Sequence, residues 1–147
     1  SAIIEAHSTL NLFSPLSYRP MGTTILGIVL NPFGATLFNV GDSRGYKLSN
    51  GKLDKLTTDD VANSAQTNVI TQCLGGGTKV PKPHYSKQHY SPGDSFILMS
   101  DGITDWLLED DIYKIVKTCG SESAVGLCHQ AVKAGSGDDV SAVVILC

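Results

Sequence analysis

The chain has 147 residues, 41% of them hydrophobic and 17% charged, with a net charge of −3 at pH 7 and a pI of about 5.7. That is long enough for one domain with its own core, and the balance is that of a globular protein carrying fewer charges than the usual quarter. It leaves no electrostatic case for a nucleic-acid or anionic-lipid partner, and no apolar run approaches the ~20 residues that a membrane span needs.

Residues 1–12 place Ile3, Ile4, Ala6, His7 and Leu10 at helical spacing, and Pro15 and Pro20 break the helix they predict. Strand 24–30 follows, then a turn at Asn31-Pro32-Phe33-Gly34 and strand 35–40. A tight break at Gly41-Asp42-Ser43 leads to strand 44–48. Asn50-Gly51 predicts a two-residue hairpin turn into strand 52–56, so that the four strands read as one antiparallel meander. Residues 57–80 are polar and Gly-rich, with a short helix expected over 68–74 ahead of Gly75-Gly76-Gly77. Strand 83–90, a turn at Ser91-Pro92-Gly93-Asp94 and strand 95–100 come next. A helix capped by Thr104 or Asp105 then runs through Ile112, Ile115 and Val116 to Gly120. A second helix over 121–134 presents Val125, Leu127, Cys128, Ala131 and Val132, and an apolar strand over 140–147 closes the chain. Antiparallel strands with helices between some of them predict an α+β layered domain.

Cys73, Cys119, Cys128 and Cys147 show no CxxC spacing and read as reduced thiols, mostly small and buried. With no signal peptide in view, a cytoplasmic protein is expected. The chain opens on Ser1 rather than Met, which leaves room for an upstream segment and any targeting signal it carried.

Three positions share one design. Asp42 follows Leu37-Phe38-Asn39-Val40 and Gly41, Asp101 follows Phe96-Ile97-Leu98-Met99 and Ser100 and precedes Gly102, and Asp138-Asp139 lie between Gly137 and the last strand. An ionised carboxylate at the end of an inner strand is costly unless a cation or strong donors meet it. Taken singly, such an aspartate usually makes an Asx turn or a helix cap. Taken together, with two of them adjoining strands too apolar to be exposed edges, they predict an oxygen-only site for a hard divalent cation, Mg²⁺ or Mn²⁺.

The stretch "MGTTILGIVLNPFGATLFNVGDSRGYKLSNGKLDKLTTDD" resembles the metal-dependent (type 2C) protein serine/threonine phosphatases, and the bacterial branch in particular. "PGDSFILMSDGITDWLLEDDI" is similar to that family's G-D-x-hydrophobic-S-D-G block, and "GSGDDVSAVVIL" to its closing strand. The resemblance implies an antiparallel β-sandwich flanked by helices. It also implies dephosphorylation of phosphoserine or phosphothreonine in proteins by a water that a dinuclear Mg²⁺ or Mn²⁺ site activates. Asp101 and Asp138 match the family's core metal ligands, Asp42 matches the aspartate of a third-ion site, and Arg44 pairs with an acid near the site. A phosphoprotein is the implied substrate, and a cognate Ser/Thr kinase is a partner by analogy alone.

Departures from the family pattern are equally specific. The amino-terminal N-E-D and D-G-x-G-G segments are absent, so the chain reads as the carboxy-terminal part of a single phosphatase domain, and its fold as an incomplete sandwich. Asp101 and Asp138 alone do not complete a dinuclear site, since each hard cation takes about six oxygens, and little turnover is expected of this fragment by itself. The flap after Thr57-Thr58-Asp59-Asp60 is short, and Asp139 stands where asparagine is usual. The rival reading is a catalytically inactive pseudophosphatase, a regulatory or binding module on the same fold. His7, His84, His89 and His129 lack zinc-ligand spacing and read as packing or surface residues. Trp106 reads as a core aromatic at a helix start, Asp105 as a helix cap, and Glu109-Asp110-Asp111 as dipole compensation on a first helical turn.

Overall fold

The computed structural model describes residues 2–14, 20–62, 69–77 and 79–147. In chain order the elements are α1 (Ala2–Phe13), β1 (Gly22–Thr23), β2 (Ile25–Asn31), β3 (Gly34–Val40), β4 (Arg44–Ser49), β5 (Lys52–Lys55), β6 (Leu74–Gly75), β7 (His84–Gln88), β8 (Ser95–Met99), α2 (Asp101–Thr104), α3 (Glu109–Cys119), α4 (Ser123–Ala134) and β9 (Ala142–Leu146). One sheet has the order β2-β3-β7 and a second the order β5-β4-β8-β9, all neighbours antiparallel. Strands β1 and β6 form a small separate ladder against which α1 packs.

Strand β8 shows why these layers stack. All five of its residues are buried, because both of its faces are covered. Ile97 and Met99 join Tyr46, Ile103, Leu107, Ile112, Val116, Leu127 and Ala131 in a core between the four-stranded sheet and helices α3 and α4. Phe96 and Leu98 point the other way, into a second core with Ala35 and Leu37 of the three-stranded sheet, edged by Leu26, Ile28 and Ile145. A strand covered on both faces has no polar alternation to show, and Phe96-Ile97-Leu98-Met99 has none. The order is therefore sheet, sheet, helices: an antiparallel sandwich flanked by helices, as expected.

The four-strand meander is corrected. Strands β2 and β3 pair with each other in one sheet, whereas β4 and β5 pair in the other. The chain crosses between sheets at Gly41-Asp42-Ser43, where Gly41 has φ +104° and a Cβ would lie 2.4 Å from Thr24 Cγ2. Only glycine turns that corner against Thr24. The hairpin after it forms as read, through Asn50-Gly51 with Asn50 at φ 50°.

Four other expectations change. No helix occupies the described part of 68–74: Ile70 bridges Val61 and Leu74 pairs with Thr23. β-Branched residues with an antiparallel partner in reach prefer that ladder to an isolated turn of helix. Asn68, like the predicted break at Pro15, lies outside the described residues. Thr104 and Asp105 do not cap the later helix, because a short α2 begins at Asp101 and Leu108 occupies the cap of α3. Trp106 is 46% exposed rather than a core residue, and it lies over Gly135 at the end of α4. Cys119 is exposed and the other three thiols are half-buried, none in a disulfide.

Phe96 is fully buried and meets Tyr90 edge-on at 6.0 Å between ring centroids. Phe96→Ala is expected to cost about 3–5 kcal/mol of unfolding free energy, read from the midpoint shift in urea. A loss under about 1 kcal/mol would show that the inter-sheet core is not packed as described.

Candidate metal centre

Strand register brings the singled-out acids to one end of the sandwich. Arg44 is opposite Met99, and Met99 is opposite Ala142, so β4, β8 and β9 share that end. Val40 is opposite Ile25 and Asn39 opposite His84 in the other sheet. Asp42 lies just beyond the end of β3, Asp101 just beyond β8, and Asp138 just before β9.

The closing loop is laced to the turn that carries Asp101. Ser136 Oγ donates to the Gly102 carbonyl at 2.8 Å, Ser100 Oγ to the Asp139 carbonyl at 3.3 Å, and the Ser100 N–H to the Ser141 carbonyl at 3.0 Å. These bonds bracket Asp138 on both sides. A Cβ on residue 102 would lie 2.5 Å from the Asp139 carbonyl oxygen, so a residue without a side chain is what lets the loop approach. Asp101 Oδ1 accepts from the Gly102 N–H at 2.9 Å, and Asp138 Oδ1 accepts from the Asp139 N–H at 2.8 Å. These Asx contacts use one oxygen of each carboxylate. Among the described residues no protein donor is bonded to the other.

Asp42 is half-buried, and its carboxyl is pushed above its ordinary range. Burial is the larger cause, and the negative charges of Asp101, Asp105 and Asp59 add to it against a lowering contact with its own backbone. The obvious neutralising cation is engaged elsewhere. Arg44 Nε donates to Asp59 Oδ2 at 2.8 Å and Nη1 to the Thr104 carbonyl at 3.4 Å. Burial lowers the affinity of Arg44 for its proton, and Asp59 more than restores it. Lys55 also holds Asp59, at 2.7 Å. Arg44 thus braces the site by pairing with an acid.

Asp42 thus lies within reach of the like charge of Asp101, and Asp138 is on the loop stitched to the Asp101 turn. Among the described residues no three His, Cys, Asp or Glu side chains are gathered into a metal cluster. The donors are nonetheless of the right kind: carboxylate oxygens without protein partners, half-buried at Asp42 and Asp101 and exposed at Asp138, suit a hard divalent cation.

One buried carboxylate next to this mouth escapes the sequence reading. Asp60 is 7% exposed, and its carboxylate receives the Gly41 N–H at 2.9 Å, Gln72 Nε2 at 2.7 Å and His84 Nε2 at 2.8 Å. Burial alone would raise its pKa. The Gly41 N–H, His84 and Gln72 outweigh that and hold it below the ordinary carboxylate range. The signal available was a second acid directly after Asp59, in a segment with no helix or strand to place it.

Comparison with known proteins identifies this architecture. The sequence pattern described as protein phosphatase 2C matches residues 2–130, and the chain belongs to that family. It is 27% identical over 150 residues to the serine/threonine phosphatase Stp of Listeria monocytogenes, which covers 90% of this chain and 59% of that protein. It is 30% identical over 141 residues to the serine/threonine protein phosphatase PstP of Mycobacterium tuberculosis, covering 84% of this chain and 27% of that one. A crystal structure of the PstP catalytic domain in complex with two manganese ions superimposes with a TM-score of 0.76 at 27% identity, over 97% of this chain and 65% of that domain. The chain spans less than two thirds of the length of each of these proteins.

Crowding of like charges at Asp42 has a stability consequence. Asp42→Asn is expected to raise the metal-free unfolding free energy by up to about 1 kcal/mol, the scale of a solvent-screened charge contact. It should also shrink the upward shift of the thermal midpoint that added Mn²⁺ produces. An unchanged Mn²⁺ shift would remove Asp42 from the site.

Proposed function

We propose that residues 1–147 form the carboxy-terminal part of a metal-dependent phosphatase domain that removes phosphate from phosphoserine and phosphothreonine in proteins. The observation that supports this reading is the emergence of the Asp42 corner and the Asp101 turn at one end of the sandwich, beside the loop that carries Asp138 and is bonded to the same turn. The names of the matched relatives support the substrate class, and the manganese in the solved PstP domain supports the kind of cation.

Asp101 and Asp138 are assigned to the ions of the dinuclear centre, each offering the oxygen left free by its Asx contact. Asp42 is assigned to a further ion shared with Asp101. When bound there, Mg²⁺ or Mn²⁺ would supply a water made nucleophilic at neutral pH and would neutralise the phosphoryl oxygens. The chain supplies the frame. Gly102 lets the closing loop approach, Arg44 keeps Asp59 paired, and β8 anchors the Asp101 turn in two cores.

An incomplete domain is supported by the free edge of β9. This strand ends its sheet among the described residues. A groove of about 430 Å³ lies on the helix side, lined by Val125, Cys128, Val132 and Ala142. An apolar groove of about 240 Å³ opens between the sheets, lined by Leu26, Leu98 and Val143. Apolar hollows on both faces of one free edge are what another strand of the same sandwich would fill.

Hydrolysis of p-nitrophenyl phosphate by the intact gene product with Mn²⁺ tests the assignment. Asp101→Ala is expected to lower the rate by at least about a hundredfold, beyond what loss of an outer partner of a metal ligand costs. Equal rates in wild type and variant would favour an inactive, phosphatase-like binding module instead.

A further inference from the structure

Resting on the metal-dependent reading above, we infer that Asp60, braced by His84 and Gln72, is a positioning residue that fixes the Gly41 peptide and so aims the Asp42 carboxylate at its cation.

Gly41 is the residue immediately before Asp42, and Asp60 holds it at two points. The Gly41 N–H donates to Asp60 Oδ2 at 2.9 Å, and the Asp60 N–H donates to the Gly41 carbonyl at 3.0 Å. One bond runs in each direction between the same two residues, so the corner cannot turn without breaking both. Thr24 closes a third side: its Oγ1 lies 3.1 Å from Ser43 Oγ, just past Asp42. A carboxylate that hung from a free loop would drift away from its like-charged neighbours. This one is held against them.

Asp60 is itself held. Its Oδ1 accepts from Gln72 Nε2 at 2.7 Å and bonds His84 Nε2 at 2.8 Å. Gln72 is steadied in turn by the Lys82 N–H, which donates to Gln72 Oε1 at 2.8 Å. His84 belongs to β7, directly opposite Asn39 of β3. The brace therefore runs from the three-stranded sheet, through a buried carboxylate, to the peptide before Asp42. Both oxygens of Asp60 are occupied by these donors, so it reaches the cation site through the Gly41 peptide rather than as a ligand. A buried carboxylate is costly unless fully bonded. Here it is fully bonded, and one of its partners is the corner itself.

The test is Mn²⁺ binding to the intact gene product, followed by calorimetric titration and by the electron paramagnetic resonance of free Mn²⁺. Asp60→Ala is expected to weaken the Asp42-dependent Mn²⁺ binding event about tenfold, the low end for residues that act behind a ligand. In an Asp42→Asn background the same change should produce no further loss, because the two residues act on one site. Should Asp60→Ala not fold, Asp60→Asn and the pair His84→Ala and His84→Gln give the same reading. Asn keeps one acceptor for Gly41, and Gln restores a donor to Asp60, so His84→Gln should recover affinity that His84→Ala loses. Unchanged Mn²⁺ affinity in the folded variants, or an equal further loss in the Asp42→Asn background, would overturn the positioning role. If wild type binds no Mn²⁺, or Asp101→Asn leaves its binding unaltered, the metal reading itself fails and this role falls with it.

Discussion

Like-charged carboxylates carried to one end of the sandwich are the constraint on which the candidate site depends. Asp42 feels Asp101, Asp105 and Asp59 at once, while the nearby guanidinium is committed to Asp59. Like charges held this way work against folding, a cost that proteins carry mainly at functional sites. The surroundings are consistent with that. Asp42 is held in place from the backbone, the Asp101 turn is anchored in the core, and Asp138 is bracketed by bonds to that turn.

The anchoring comes from layers that have nothing to do with charge. Strand β8 is covered by helices on one side and by a second sheet on the other, so the residue that follows it starts from a rigid point. Register does the rest, because Arg44, Met99 and Ala142 lie in line across three strands. The Asp101 turn and the loop before β9 emerge from the same end of that sheet. The break between sheets at Gly41 delivers Asp42 to the same mouth from the other layer.

Much of this was legible in the sequence because it depends on short-range pattern. The apolar run of β8, the Asn50-Gly51 turn and the acids beside glycine each announce themselves within a few residues. The two-sheet division of β2 to β5 was not legible, since hairpin spacing tells which strands are sequential and not which sheet each hairpin joins. The helix expected at 68–74 lost to two pairings outside it, a bridge from Ile70 to Val61 and a ladder from Leu74 to the distant Thr23. Trp106 was misread because an aromatic at a helix start is core only where a distant segment covers it, and here the turn at Gly135 leaves it 46% exposed. The Asp60 brace was invisible for the same reason: its partners Gly41 and His84 are separated from it by 19 and 24 residues. Only the fold makes them neighbours.

The most direct test of the account is the location of manganese itself. Crystals of the intact gene product grown with Mn²⁺, measured at the manganese absorption edge, should show anomalous peaks within coordination distance of the Asp101 and Asp138 carboxylates. Peaks elsewhere, or none, with those two side chains facing bulk solvent on separate flanks, would contradict it.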